Sequence, residues 1–252
     1  MDSDLIELKK IRDYFQNDLR EWFDIAHTLI AITSLGSWKV IEYMQSNSDA
    51  SYSFAVPIAV NGSLNLASLN KLSYEKMFQT YHNHKGAIAE LVYERLIQRW
   101  YDFLSQIIEQ IVKYHITGVK SYPKIPKVKI EVNFSDDKFL EQFPTLIKDS
   151  FDFQKNIEKT KLIEDCLEQK IDDEFKQQIK KAIITRNLLE HSQGIIRTKD
   201  TKDLGINSIK LIDDHCVEKE FKVGERVEIT IYELFRLKQA FYNTSKILIP
   251  EQ

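Results

Sequence analysis

Between Ile88 and Ile111 apolar residues recur at Ile88, Leu91, Val92, Leu96, Trp100, Phe103, Ile107 and Ile111, among others. Steps of three and four put them on one broad face of an α-helix, whereas a strand would scatter them over both of its faces. The pattern predicts a long helix from about Lys85 to Ile116, ended by Gly118 and Pro123. The N-terminus repeats it with Leu5, Leu8, Ile11, Phe15, Leu19, Trp22, Ala26 and Leu29, which predicts a helix from Asp4 to about Ala31. A shorter helical stretch, Ser37 to Met44, should follow. Only 7 Gly and 5 Pro occur in 252 residues, too few for a turn-rich β fold. The expected class is all-α.

Between these helices the character changes. The run "SNSDASYSFAVPIAVNGSLNLASLNKLS" is rich in Ser, Asn and Ala and carries almost no charge. Asn61-Gly62 between two alternating segments suits a type I′ hairpin, with Pro57 confining the first strand to an edge. The run reads as a boundary or flap, so residues 1–80 are expected to form an N-terminal helical extension and 85–249 the main helical domain.

Further on, "VKIEVNF" (Val128 to Phe134) alternates as a strand should. A helix is expected after Ser135, interrupted near Pro144, and another through "FQKNIEKTKLIEDCLEQ". The next begins at Asp172-Asp173, acidic residues suited to a helix N-terminus, and ends near Gly194. A charged loop follows. Then "CVEKEFKVGERVEITI" reads as a small β-hairpin around Gly224. Thr230 and Glu233 form a T-x-x-E capping box for a last helix through Leu234, Leu237, Ala240, Phe241 and Ile247.

Charge excludes more than it identifies. The chain is 43% hydrophobic and 29% charged with a net charge of −3, so no global basic field announces nucleic acid and any such site must be local. Apolar runs are far too short for a membrane span. "MDSDLIELKK" lacks an apolar signal core, and Cys166 and Cys216 stand alone, which together imply a cytoplasmic protein with free thiols. His82 and His84 lack a third ligand at useful spacing and read as surface residues, so no metal and no cofactor are expected.

The stretch that carries chemistry is "RNLLEHSQGIIR", Arg186 to Arg197. With Phe175 at zero and each residue advancing about 100°, Arg186 lands at about 20°, inside an apolar stripe of Ile179, Ala182, Ile183 and Leu189. A guanidinium cannot shed its proton, so it must meet a carboxylate, a subunit boundary or an anion-binding cleft. His191 lies at about 160°, on another face. Spacing alone is weak, since Arg20 and His27 form a similar pair in the N-terminal helix. Glu190, four residues beyond Arg186, could simply pair with it. Lys176, Lys180, Lys181, Arg197 and Lys199 flank the motif as a basic patch or as ordinary surface charge.

Arg186, Asn187, His191 and Gly194, followed by "FKVGERVEIT" and a closing helix, resemble the HEPN family over about Lys85 to Ile249. The resemblance implies a compact helical bundle and metal-independent RNA cleavage at a site shared by two protomers. Such proteins act in toxin–antitoxin, abortive-infection and anti-phage defence, so RNA, a second copy of the chain, and an antitoxin or defence-system component are the implied partners. Arg186 and His191 would be catalytic, Asn187 and Glu190 would support them, and Lys180, Lys181 and Arg197 would bind RNA. Some members are silenced through a Tyr just after the His. Here Ser192 and Gln193 stand there, so that control is not implied. The rival readings are a catalytically silent HEPN-type scaffold that binds nucleotide, RNA or protein, and an unrelated helical interaction domain.

Overall fold

A computed structural model describes residues 6–47, 51–53, 55–60, 63–68, 71–125, 139–205 and 208–251. Among them the chain is mainly helical, with eight helices and three two-stranded antiparallel pairings. No helix among the described residues is long and apolar enough to cross a membrane. The chain divides into two compact units, residues 1–24 with 89–252, and residues 25–88. The first 24 residues thus belong with the main domain, not with an extension ending near residue 80.

Helix α1 (Ile6–Ser46) begins in the larger unit and contributes its residues from Ile25 onward to the smaller one. The break expected between Ala31 and Ser37 is absent. Gly36 costs a helix about 1 kcal/mol, which is too little to end one. Nearby hydroxyls also bond back to the helix, Thr33 Oγ1 to the Leu29 carbonyl at 2.8 Å and Ser37 Oγ to the Ser34 carbonyl at 2.7 Å.

The smaller unit continues with β1 (Ser51–Tyr52), β2 (Ala55–Val60), β3 (Ser63–Ser68), β4 (Leu72–Ser73) and α2 (Tyr74–Asn83). β2 pairs with β3 from Ala55↔Ser68 to Val60↔Ser63, and β1 pairs with β4. The Asn61-Gly62 turn lies outside the described residues, but the strands it would join are those expected. Both strands of a two-stranded ribbon are edges, which accommodates Pro57 opposite Leu66. Helix α2, capped by Ser73 Oγ accepting from the Lys76 N–H at 3.1 Å, is not anticipated from the sequence.

In the larger unit α3 (Ala87–Ile116) is the central helix, burying Leu96, Trp100, Phe103, Leu104, Ile107 and Ile111. Around it pack α1 and α8 (Ile231–Leu248). Phe15 stacks on Phe103 with centroids 4.3 Å apart, and Trp100 stacks on Phe241 at 4.9 Å. Polar links join the two chain ends: Arg12 Nη1 donates to the Ile249 carbonyl at 2.7 Å, and Gln16 Nε2 to Ser245 Oγ at 2.9 Å.

Helix α4 (Phe139–Asp152) runs through Pro144, so the interruption expected there is absent, although the ring removes the bond that an N–H at this position would make to the Leu140 carbonyl. The "VKIEVNF" segment lies outside the described residues. α5 (Asn156–Leu167) and α6 (Asp173–Ser192) follow as expected, α6 with Asp172 at its N-cap position. The expected charged loop instead holds a short helix, α7 (Thr198–Leu204), whose Asp200 carboxylate reaches back to accept from the Arg197 N–H at 2.9 Å.

The β-hairpin is one segment earlier than expected. β5 (Ser208–Ile212) pairs with β6 (Glu218–Lys222), and Asp213 Oδ1 closes their connection by accepting from the N–H groups of His215 and Val217 at 2.9 and 3.0 Å. Gly224, at φ +91°, turns the chain so that Arg226 bridges Ile195 instead. Thr230 caps α8 as expected, Oγ1 accepting from the Glu233 N–H at 3.1 Å. Glu233 does not complete the box. It is buried, bonded to the Ile212 N–H at 2.9 Å and to Arg236 Nη2 at 2.6 Å.

Candidate active site at the end of helix α6

The last turn of α6 is fixed by its termination. Gln193 adopts the left-handed conformation (φ 52°) and Gly194 follows at φ +79°. The Gly194 N–H returns to the Leu188 carbonyl at 2.9 Å. Arg226 lies across this turn, donating from Nε to the Gln193 carbonyl at 3.2 Å and from Nη2 to Glu90 Oε2 of α3 at 2.9 Å. A Cβ on residue 194 would meet Arg226 Cγ at 3.1 Å, so glycine serves both the conformation and the close approach. The "GERV" segment thereby clamps the end of α6 to α3.

Arg186 and His191 lie on different faces of α6, yet one carboxylate touches both. Arg186 Nη1 is 2.5 Å from Glu190 Oε2, and His191 Nε2 is 3.3 Å from the same oxygen. Arg186 Nη1 also donates to Asn187 Oδ1 at 3.3 Å. All four residues of the expected constellation therefore meet within one chain. The His191 side chain is 62% exposed and that of Arg186 is 24% exposed, so both are open to a ligand. Leu188 rather than Leu189 is fully buried, and α6 buries Ile184 and Thr185 besides the expected stripe.

Helix α3 supplies residues that the motif does not mark. Glu94 and Tyr101 both lie within electrostatic reach of Arg186. Burial raises the Glu94 carboxyl above the usual carboxylate range, Glu190 and Glu90 push it the same way, and Arg186 opposes them. Burial also raises the Tyr101 hydroxyl, again against Arg186. Glu90, Glu94 and Tyr101 recur at intervals of four and seven, a polar line on one face of an otherwise apolar helix. That line is the signal by which they could have been found.

The flanking cations are more engaged than a phosphate-tracking patch would be. Lys181 points inward: its ammonium donates to the Lys210 carbonyl at 2.9 Å and lies 4.0 Å from buried Glu233. Arg197 is paired with Asp200 through Nε at 3.0 Å, and Lys176 with Glu164 at 2.6 Å. Lys180 is half-buried and Lys199 exposed.

Elsewhere, His82 stacks against Phe78 in the smaller unit at 6.0 Å. Cys166 is buried, its thiol pushed up to about 11 by burial, and it donates to the Lys124 carbonyl at 3.2 Å. Among the described residues no group of three His, Cys, Asp or Glu is arranged to hold a metal ion.

No protein-family model, curated protein or solved structure matches the chain. What stands is a mainly helical protein with an arginine, a histidine and a shared carboxylate at one exposed helix end.

Proposed function

We propose that the chain is a metal-independent endoribonuclease of the HEPN type, acting as a homodimer in toxin or anti-phage defence. The observation that carries this reading is the accessible Arg186–Glu190–His191 constellation on the last turn of α6. In the reaction the 2′-oxygen of RNA attacks its own phosphorus while the bond to the 5′-oxygen breaks. One proton leaves the 2′-hydroxyl and one arrives on the 5′-oxygen, leaving a 2′,3′-cyclic phosphate and a 5′-hydroxyl. A histidine titrates near neutral pH and can serve either transfer. The planar fork of Arg186 suits the phosphorane oxygens.

A second protomer would supply a second histidine, so that one accepts while the other donates. Leu91 and Ile195 are apolar and exposed, each next in sequence to a residue (Glu90, Gly194) packed against Arg226, so they offer apolar surface to that partner. The rival reading, a silent scaffold, is favoured by the Arg186–Glu190 pairing, which occupies the guanidinium intramolecularly.

Purified protein should cleave single-stranded RNA in excess EDTA and spare DNA, which lacks the attacking hydroxyl. His191→Ala should reduce the rate by about 10²–10⁴-fold. Arg186→Lys should also be badly impaired, because a point charge does not replace a planar fork. Cys166→Ala and His82→Ala should stay near wild type. Light scattering should give about twice the chain mass of 29.7 kDa. Cleavage that disappears with EDTA, or that survives His191→Ala, would favour the scaffold.

A further inference from the structure

Arg186 also lines a cleft of about 500 Å³ between α3, α4, α5 and α6. That volume is in the range of small-molecule sites. Its most unusual occupant is Lys159, whose residue is only 4% exposed. Among the described residues its ammonium has no carboxylate oxygen within ion-pair distance; it donates to the Asp152 carbonyl at 2.9 Å. Otherwise it lies over the rings of Tyr101 and Phe151, 5.4 and 5.6 Å from their centroids. A buried ammonium whose counter-charge, the Asp152 carboxylate, acts only from beyond ion-pair distance is costly to keep, and this one has N–H groups to spare.

Beside it, the Tyr101 hydroxyl is buried on a residue only 6% exposed, near the Asn156 side chain but without a well-formed hydrogen bond to it. Two independent groups thus leave hydrogen-bonding capacity unused at the wall of one cleft. Lys148 on α4 adds a second cation, held only loosely by Glu109 at 3.8 Å. Arg186 adds a fourth group, since Glu190 and Asn187 engage only its Nη1. The Asp102 and Asp152 carboxylates also line the cleft and can accept from hydroxyl or amino groups.

We propose that this cleft binds a nucleoside monophosphate unit, with phosphate on Lys159, Tyr101, Lys148 and Arg186 and the sugar hydroxyls or base amino group on Asp102 and Asp152. The unit is either a free nucleotide or one residue of an RNA chain. The site needs no cleavage step, so it goes beyond the ribonuclease reading and is testable without it.

The test is calorimetric titration of the His191→Ala protein, whose substitution lies outside the cleft. The probes are inorganic phosphate, the four nucleoside 5′-monophosphates and an RNA tetranucleotide with its 2′-hydroxyls intact, its integrity checked after the titration. At least one nucleotide should bind saturably. Tighter binding of the mononucleotide marks a free ligand, and tighter binding of the tetranucleotide marks an RNA subsite. Lys159→Met should weaken binding by about tenfold or more, and Tyr101→Phe by several-fold, as expected for hydrogen bonds to a charged group. Tyr101→Phe removes only a hydroxyl, so it decides the matter should Lys159→Met fail to fold. Lack of saturation with every nucleotide probe, or binding that Tyr101→Phe and Lys148→Ala leave unchanged, overturns the proposal. Loss of RNA cleavage with nucleotide binding intact would instead remove the ribonuclease reading and leave this site standing.

Discussion

Arg186 and His191 share an oxygen atom, Oε2 of Glu190, 2.5 Å from one and 3.3 Å from the other. The carboxylate spans two faces of a helix that would otherwise keep the side chains apart. It also competes with any phosphate for the guanidinium. Glu190→Gln should therefore lower KM for RNA several-fold. Stability should change by less than about 1 kcal/mol, as for other partly exposed pairs. Steady-state cleavage and urea unfolding measure the two effects. A fall in kcat as large as that of His191→Ala would mean that Glu190 carries a proton itself.

The Gly194 turn makes a second prediction. Gly194→Ala places a Cβ at φ +79° and within 3.1 Å of Arg226 Cγ. The left-handed backbone alone should cost about 1–2 kcal/mol. Displacing Arg226 should also loosen the Glu90 clamp, so RNA cleavage should fall even at temperatures where the variant is folded. Unchanged thermal stability would show that the turn relaxes freely.

Thr230 bonds twice, accepting from the Glu233 N–H and donating to the Ile212 carbonyl at 2.6 Å. Thr230→Ala should lower the unfolding free energy by about 1–2 kcal/mol, the upper part of the range for an N-cap. Thr230→Ser keeps both bonds and should recover most of the loss. Equal losses for the two would assign the effect to the methyl group.

Acid stability should depend on Asp200. Burial pushes its carboxyl up, but hydrogen bonds from the Arg197 side chain and backbone outweigh this and hold it below the usual range. A depressed folded value contributes stability above the ordinary aspartate value of about 3.9, and that contribution is lost as pH falls through the folded value. Asp200→Asn should therefore flatten the decline in unfolding midpoint below about pH 4, while Asp213 and Glu218, also depressed, keep theirs in both proteins. Parallel curves for wild type and variant would contradict this.

Sequence patterning reveals the elements whose stability is local. Helices α3, α6 and α8 carry their own apolar faces and end signals, and each lies close to where those signals put it. Where tertiary partners decide, the pattern misleads. Gly36 resembles a break but lies within a continuous helix, and Gly224 resembles a hairpin apex but redirects the chain toward Ile195. The site divides in the same way. Arg186, Asn187, Glu190 and His191 sit within one short stretch and can be read together. Lys181 looks like surface charge because the Lys210 carbonyl that captures it is 29 residues away. Arg226 and Glu90 are 136 residues apart, and nothing local announces their meeting.

The bond from Arg12 to the Ile249 carbonyl spans 237 residues. During synthesis the first half of α1 emerges long before the helix that covers it. At about 5–20 residues per second, Leu8, Phe15 and Leu19 wait on the order of ten seconds to a minute for α8. Until then the side of α1 that meets α8 is open to water or to a chaperone, Phe15 has the rings of α3 but not that of Phe241, and α3 lacks the ring of Phe241 against Trp100. A ribosome stalled before residue 231 would hold a chain whose central helix is complete and whose core is open on one side. Chaperone dependence in a cell should therefore follow the time taken to translate the C-terminal quarter more closely than the equilibrium stability of the finished protein.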